Sequence, residues 1–585
     1  MNSLFDEFQP LSVKVGNREI LPTTDVLHRN RLVAQVLASR GIVDAEQVEL
    51  ALSGLPRPDL LPNIDLAVQR LLKARIDEER ILIVGDYDCD GATSTAVAMT
   101  GLSQLGFTQV DYLIPNRFEH GYGLSPAIVD IANNQHKPHV ILTVDNGVAS
   151  VEGVERAREL GIEVVVTDHH LPPTILPDAA AVVNPNLSGS RFAAMHLAGV
   201  GVLFYTLIAL RAELSRQCDP YASAPLADLL DLVAIGTVAD VVPLDATNRI
   251  LVEQGLRRIR ASQTRPGVLA LLQAAGRQAE KMSTQDIGFG IGPRLNAAGR
   301  LADMRLGVEC LLCPDPDEAV IIAARLNSFN EQRRSIENDM RTAANEQLDA
   351  LGLDSLHRAD NFSVCLHDDE WHQGVIGILA GRIKESVHRP VVVFTHDDDD
   401  HIKGSARSIP GVHIRDVLQA IATKHSGMIE KFGGHAMAAG LTLARSKFQE
   451  FKAAFEQEVK IACNNTLKIR EYLTDGTLQT SQITLENAAA LAHIMPWGQG
   501  FEAPLFAGFF AAADHRQVGK GHLKLRVRVW NEPDSAAIDA IAFNCSIEPL
   551  KDQPLFAIYS LEVNTWRDVQ SVQLRVHHLE QSALR

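Results

Sequence analysis

Three short apolar runs in this chain end the same way. "ILIVG" (81–85) runs into "DYDCDG", "HVILTV" (139–144) into "DNG", and "IEVVVT" (162–167) into "DHH". Continuous β-rich runs alternating with stretches of helical spacing, such as "ATSTAVAMTGLSQLG" (92–106), are the pattern of a parallel sheet buried on both faces. In such a sheet the carboxyl ends of the strands share one edge, and sites form there. The pattern therefore predicts that three distant loops bring Asp86, Asp88, Asp90, Asp145, Asp168, His169 and His170 together.

Read alone, "GDYDCDGATSTA" (85–96) has several explanations. The D-x-D-x-D-G spacing opens like an EF-hand, but the twelfth position is Val97 where a bidentate Glu is needed, and an apolar strand precedes it. A phosphatase loop of the D-x-D-x-T/V type fails at Ala92. A solvated surface turn is the third reading, and the acidic ends of the other two strands argue against it. So many carboxylates in one cleft repel one another by several kcal/mol unless cations relieve them. Oxygen ligands with one or two imidazoles suit Mn²⁺ or Mg²⁺, and their number exceeds what one ion needs, which points to a two-metal site.

The rest of the chain sets the context. Its 585 residues allow three or four domains, and 46% hydrophobic content excludes global disorder. The net charge of −17 excludes a uniformly basic surface but not a local nucleic-acid patch. Seven cysteines without a framework spacing fit reduced thiols, and Cys310 and Cys313 lack the second ligand pair of a zinc site. The N-terminus has neither the basic nor the apolar region of a signal peptide, and no run of about 18 apolar residues suggests a membrane span, so a cytoplasmic protein is expected.

Residues 1–65 read as a mostly helical extension ending in "LPRPDLLP". Residues 66–250 carry the parallel sheet, and 251–355 read as helix, with a long connecting helix over 321–351. Residues 356–462 form a second mixed α/β region, with strands at "FSVCLH" and "PVVVFT", a helix between them, and a glycine turn in "KFGGHAMAAGLTL" (431–443). Residues 466–585 turn to alternating strands, "HLKLRVRVW" (522–530) and "SVQLRVHHL" (571–579), which suggest a small β-barrel. The acidic run 397–400 is expected to be a solvated loop. Lys524, Arg526, Arg528 and Trp530 alternate along one strand, so they share a face that suits a single nucleic-acid strand.

"DYDCDG", "DNG" and "TDHH" together resemble the first three motifs of the DHH phosphoesterase superfamily, and "GTVADVVPL" (236–244) resembles the fourth. "GPRLNAAGRL" (292–301), "WHQGVIGILAGR" (371–382), "GSARS" (404–408) and "KFGGHAMAAG" (431–440) extend the resemblance to the RecJ family within it, over nearly everything after residue 60. The resemblance implies a DHH domain, a DHHA1 substrate domain and an OB-fold. It implies 5′→3′ hydrolysis of single-stranded DNA to mononucleotides, in repair and recombination, with two Mn²⁺ or Mg²⁺ ions. A relative cutting short oligonucleotides or cyclic dinucleotides is the alternative, and the extra β-domain argues against it.

Residue by residue, the resemblance implies that Asp88 and Asp145 hold one metal and that Asp90, Asp145, His169 and Asp240 hold the other. Asp86 is implied as a ligand or a partner of one, and His170 as a donor or acid at the scissile phosphate beside the catalytic Asp145 and His169. Arg117, Arg294, Ser405 and Arg407 resemble the family's phosphate-binding set, with His435 at the terminal nucleotide; Trp371 and His372 lie in the same family motifs. A single-strand DNA-binding protein and a RecQ-type helicase are implied as partners.

Overall fold

The structure is a computed structural model that describes residues 12–582, apart from Asp25, Phe118, 351–360, Lys520, Ser546 and 551–552. It divides into two compact units, Val15–Asn327 with Leu473–Arg585, and Ser12–Lys14 with Ser328–Tyr472.

The first unit is built on a five-stranded parallel sheet in the order Val110–Leu113, Ile81–Gly85, Val140–Val144, Glu163–Thr167, Ala181–Val183. Leu82, Val84, Ile141, Val164 and Val166 pack on one face against Ile128 and Val129 of helix Pro126–Gln135 and Val154 and Ala157 of helix Val151–Glu159. Helices Cys89–Gln104 and Gly199–Arg216 pack against the central strands as well. Burial of both faces explains why the central runs have no polar alternation. The two outer strands escaped the sequence reading because Val110–Leu113 is short and half-buried and Ala181–Val183 has only three residues.

The strand order places a topological switch between Ile81–Gly85 and Val140–Val144, because the chain leaves the first of these to opposite sides. Ligand sites of open α/β sheets form at that crevice.

The N-terminal stretch is less helical than expected. Among its described residues it carries a strand, Lys14–Asn17, and two short helices, Arg31–Ala38 and Glu46–Glu49, joined by 3-10 turns and loops. The long helix runs over Pro316–Ala350, and the residues that follow it to 360 lie outside the described set.

A closed five-stranded barrel completes the first unit. Its strands are Phe506–Val518, His522–Val529, Ile538–Ala542, Leu555–Trp566 and Val569–Gln581, closed in the order first, second, third, fifth, fourth. Only the third and fifth strands pair in parallel. Leu525, Val527, Phe556, Tyr559, Leu574 and Val576 are buried. This is the five-stranded arrangement of an OB-fold.

The second unit holds a sheet in the order Lys431–Gly434, Ala438–Ala444, His401–Arg407, Val391–His396, Val364–His367. Its only parallel pair, Val364–His367 with Val391–His396, is crossed over by helix Ile376–Val387. Residues 397–400 are exposed, as expected for a solvated loop. The seven cysteines are free thiols, and the Cys310 sulfur faces the Gly267 carbonyl rather than a metal cluster.

Candidate metal centre

The first three motif loops each start where a strand ends. Asp86 follows Gly85, Asp145 follows Val144 and Asp168 follows Thr167. The backbone ladder continues one residue into two of the loops, since Asp145 N–H donates to Thr167 O and Asp168 N–H to Val183 O, both at 3.1 Å. Asp145 then turns into the left-handed region, at φ 62°, a conformation Asp tolerates better than most residues. Asn146 fixes the turn by donating its amide to Val84 O and Val144 O at 3.0 and 2.9 Å, tying the two switch-point strands together.

The first loop is held at both ends. Asp88 caps helix Cys89–Gln104 by accepting from Gly91 N–H at 3.0 Å, while Asn296 Oδ1 accepts from Cys89 N–H at 2.8 Å. Asp90 lies at the start of the same helix but reaches across to the start of helix Gly199–Arg216, accepting from Gly199 and Val200 N–H at 2.7 and 3.0 Å. Asp240 closes the site from the end of helix Leu230–Ala239.

These loops form groups whose oxygen and nitrogen atoms are close enough to share an ion. Asp86, Asp88 and Asp145 make one, Asp90, His169 and Asp240 another, and Asp145 with His169 and His170 a third. Asp145 and His169 link them: His169 Nε2 lies 3.2 Å from Asp145 Oδ1 and 3.5 Å from Asp240 Oδ2.

The electrostatics show what the site demands. Burial, with Asp88 adding to it, pushes the Asp90 carboxyl up to about 7 and the Asp86 carboxyl well above the usual range. Burial and then the neighbouring Asp90 push Asp145 and Asp240 well up too. Four carboxyls that resist ionising together are a site that calls for positive charge. The buried Asp145 Oδ1 has no hydrogen-bond donor, although it lies within reach of His169. Such an atom fits a metal ligand, and oxygen donors with a single imidazole fit Mn²⁺ or Mg²⁺.

Asp168 differs from the others. Burial would raise its carboxyl, but the side-chain hydrogen bond from His170 and the charge of both histidines outweigh that and hold it below the usual range. Its oxygens accept from Val148, His169 and His170 N–H at 2.8, 2.7 and 3.1 Å and meet His170 Nδ1 at 2.7 Å. Asp168 therefore shapes the loop rather than facing an ion. In return, although burial works against it, the Asp168 contact lifts the His170 imidazole to about 9.

Several residues of the site carried no motif signal. Asn184 and Asn186 donate to the His170 and His169 carbonyls at 2.9 and 2.6 Å, fixing the backbone of both histidines. The Tyr122 hydroxyl lies 3.2 Å from the His170 ring nitrogens. Two glycines are needed for close approach: a Cβ on Gly199 would lie 2.5 Å from Asp145 Oδ1, and one on Gly236 would lie 2.7 Å from Asp90 Oδ1. Only the glycines flanking Tyr122 in "GYG" could have hinted at a presented aromatic.

The residues expected to bind phosphate are distributed over both units. In the first, Arg117 stacks its guanidinium over Tyr87 at 4.7 Å. Arg294 lies on helix Gly292–Leu301. It is buried, and donates to Gly290 O at 2.7 Å, Ala274 O at 3.0 Å and Asn327 Oδ1 at 3.0 Å, so its planar fork braces backbone carbonyls. In the second unit, Arg407 Nη1 donates to Ser405 Oγ at 3.1 Å, and a Cβ on Gly377 would lie within 3.0 Å of both side chains. His435 is exposed, at the turn where its N–H donates to Ala438 O at 2.8 Å. Trp371 is buried in the apolar core with Val375 and Ile376, and His372 Nδ1 accepts from Gly374 N–H at 3.0 Å.

On the barrel, Lys524, Arg526 and Arg528 alternate with the buried Leu523, Leu525 and Val527. Arg526 pairs across the sheet with Asp514 on one side and Asp539 on the other, and Arg528 Nε donates to Ser535 O. Trp530 lies just beyond the strand, its N–H on Phe509 O.

Comparison with known proteins places these elements. The DHH family N-terminal domain matches residues 80–237, the DHHA1 domain 360–461 and the RecJ OB domain 474–578. The chain is 45% identical over 581 residues to the single-stranded-DNA-specific exonuclease RecJ of Escherichia coli, covering 97% of this chain and 99% of that one. It is also similar to the crystal structure of RecJ from Thermus thermophilus with Mn²⁺, at a TM-score of 0.79 and 29% identity, covering 97% of this chain and 80% of that one. The Mg²⁺ complex of the same enzyme matches at 0.74, with 28% identity and 97% and 78% coverage.

Proposed function

This chain belongs to the RecJ family of single-stranded-DNA-specific exonucleases, and from that premise we propose that it hydrolyses single-stranded DNA from the 5′ end to mononucleotides in repair and recombination. The observation that carries the reading is the set of carboxylates and the imidazole of His169 gathered at the switch point of the parallel sheet.

Asp86, Asp88 and Asp145 would hold one ion, and Asp90, Asp145, His169 and Asp240 the other, with Asp145 common to both. This grouping follows the proximity of the side chains and adds Asp86 to the first ion as a full ligand. Bound Mn²⁺ or Mg²⁺ would supply charge stabilisation at the phosphoryl oxygens and a more acidic water. The chain's own residues do the rest. Asp168 orients His170 and its hydrogen bond favours the protonated imidazole, so His170 would present a proton to a phosphate or leaving oxygen. Asn184 and Asn186 hold the histidine backbone at a fixed height over the sheet edge.

Arg117 and Arg294 in the first unit and Ser405 and Arg407 in the second are proposed as phosphate-binding residues, His435 as a contact of the terminal nucleotide, and Lys524, Arg526, Arg528 and Trp530 as contacts of the strand on the barrel. Arg suits phosphate because its fork can pair two oxygens. A single-strand DNA-binding protein and a RecQ-type helicase are the partners the family suggests, and a cytoplasmic, nucleoid-associated place of action goes with them. Among the described residues no helix is long and apolar enough to cross a membrane. Digestion of a long 5′-phosphorylated single strand, compared with two- to five-mers, tests the proposal; activity confined to the short substrates would overturn it.

A further inference from the structure

Just before the helix Gly292–Leu301 the chain makes a π-helical turn, Ile287–Ile291, of sequence "IGFGI". Turns of this kind are rare and occur mostly at functional sites. Its two isoleucines are buried, while Phe289 at its centre, between two glycines, is 70% exposed. Presenting a phenyl ring to water forgoes most of the stabilisation its burial would give.

The turn is rigidly referenced to the metal centre. A Cβ on Gly292 would lie 3.3 Å from Ala239 Cβ, and Ala239 precedes Asp240. One turn further on, Asn296 accepts the Cys89 N–H. A Cβ on Gly299 would strike the Tyr87 carbonyl oxygen at 1.9 Å. The helix that carries the π turn thus touches the loops of Asp86–Asp90 and of Asp240 at three successive points. Arg294 adds a fourth constraint: its bonds to the Gly290 and Ala274 carbonyls hold the turn itself. Beside Asp240, Val241 is 61% exposed at φ 63°, a strained conformation for a β-branched residue. An exposed apolar side chain thus lies close in sequence to each partner of the Ala239–Gly292 contact, Val241 beside Ala239 and Asp240 and Phe289 before Gly292.

We propose that Phe289 is a nucleobase-stacking platform that holds a base of the single strand next to the metal centre. The proposal rests on the family reading above and adds a substrate contact to it. An exposed ring accepts any base by its π-face, which suits an enzyme that must process every sequence. Arg277, whose Cγ would lie 3.8 Å from a Cβ on Gly290, brings a half-exposed guanidinium to the same turn, where its Nε pairs with Asp286 at 3.3 Å and its outer face is open to a backbone phosphate. Arg294 positions the turn through its bonds to the Gly290 and Ala274 carbonyls.

Two measurements on the full chain test this. Oligonucleotides carrying 5-iododeoxyuridine at successive positions are irradiated on the Asp145→Asn chain, which holds the strand uncut, and cross-linked peptides are identified by mass spectrometry. A cross-link at Phe289 from one or two adjacent positions is expected. Phe289→Ala should raise KM for long single strands roughly tenfold, the effect of losing one stacked base. The thermal shift given by Mn²⁺ should not change. Phe289→Trp should restore KM and Phe289→Leu should not. Full rescue by Leu, or unchanged kinetics in Phe289→Ala with no cross-link in that peptide, would overturn the proposal. If the native chain leaves single-stranded DNA intact, the family reading fails instead, and the two failures are told apart.

Discussion

His169 Nε2 approaches Asp145 Oδ1 to 3.2 Å, yet that carboxylate oxygen receives no hydrogen bond. Two such atoms brought together in a buried cleft are suited to share one ion. Because Asp145 also groups with Asp86 and Asp88, it is the hinge of the whole site. Asp145→Asn keeps the left-handed turn, which Asn also tolerates, and removes the charge. Turnover should fall by about 10³-fold or more, equivalent to several kcal/mol of lost stabilisation, while the affinity for a single strand stays within a few-fold. Gel-shift and single-turnover assays would check both parts.

Metal removal should expose the strain in the carboxyl cluster. Asp90 carries a folded-state pKa raised to about 7, so the unfolded chain loses its proton first as pH rises from about 4 to 7. Asp86, Asp145 and Asp240 shift in the same direction. In EDTA the melting temperature should therefore fall by several degrees over that window, and Mn²⁺ should reverse the fall. Differential scanning calorimetry at stepped pH would show a flat profile if the carboxyls were not coupled to folding.

Asp168 and His170 give a second pH signature. His170 is raised to about 9 with the Asp168 hydrogen bond the first contribution in that direction, although burial opposes it. An acid of that pKa loses its proton as pH passes 9, so activity should decline there. Asp168→Asn removes the charge and should move the alkaline limb toward lower pH by one unit or more, which a pH–rate profile measures.

Gly236→Ala tests the packing beneath the ligands. The added methyl would lie 2.7 Å from Asp90 Oδ1 and 2.3 Å from Thr93 Oγ1. Because Asp90 is already held by two amide donors, it must move as a unit with the start of helix Gly199–Arg216. Mn²⁺ affinity should drop by about 10- to 100-fold, as for other residues that orient metal ligands. Isothermal titration on the folded variant would read it.

The three central strands and their acidic ends were legible because each buried strand is a continuous apolar run and an aspartate, Asp86, Asp145 or Asp168, follows it directly. Lys524, Arg526 and Arg528 were legible by alternation. What that reading missed was the neighbours on either side: Asp514 and Asp539 flank Arg526 through the register of its strand with the antiparallel strands before and after it. The bonds of Arg294 to the Gly290 and Ala274 carbonyls were silent for a similar reason, because the π turn before it leaves no periodic trace in sequence. Asn184, Asn186 and Tyr122 were silent because a side chain that bonds to a distant backbone or ring has no characteristic spacing.

On the barrel, Lys524→Ala should make the salt dependence of single-strand binding shallower by about 0.7 in the log–log slope, the share of one phosphate contact. Arg526→Ala should change it less, since Asp539 lies 3.8 Å from its guanidinium. Fluorescence titrations at stepped salt would rank the two.

The most direct test follows the fate of a single strand labelled at one end or the other. With Mn²⁺, a 5′-labelled strand should release labelled mononucleotide at once, while a 3′-labelled strand shortens progressively, and EDTA or Asp145→Asn should stop both. Mononucleotide appearing first from the 3′ label, or cleavage that persists in EDTA, would contradict a metal-dependent exonuclease acting from the 5′ end.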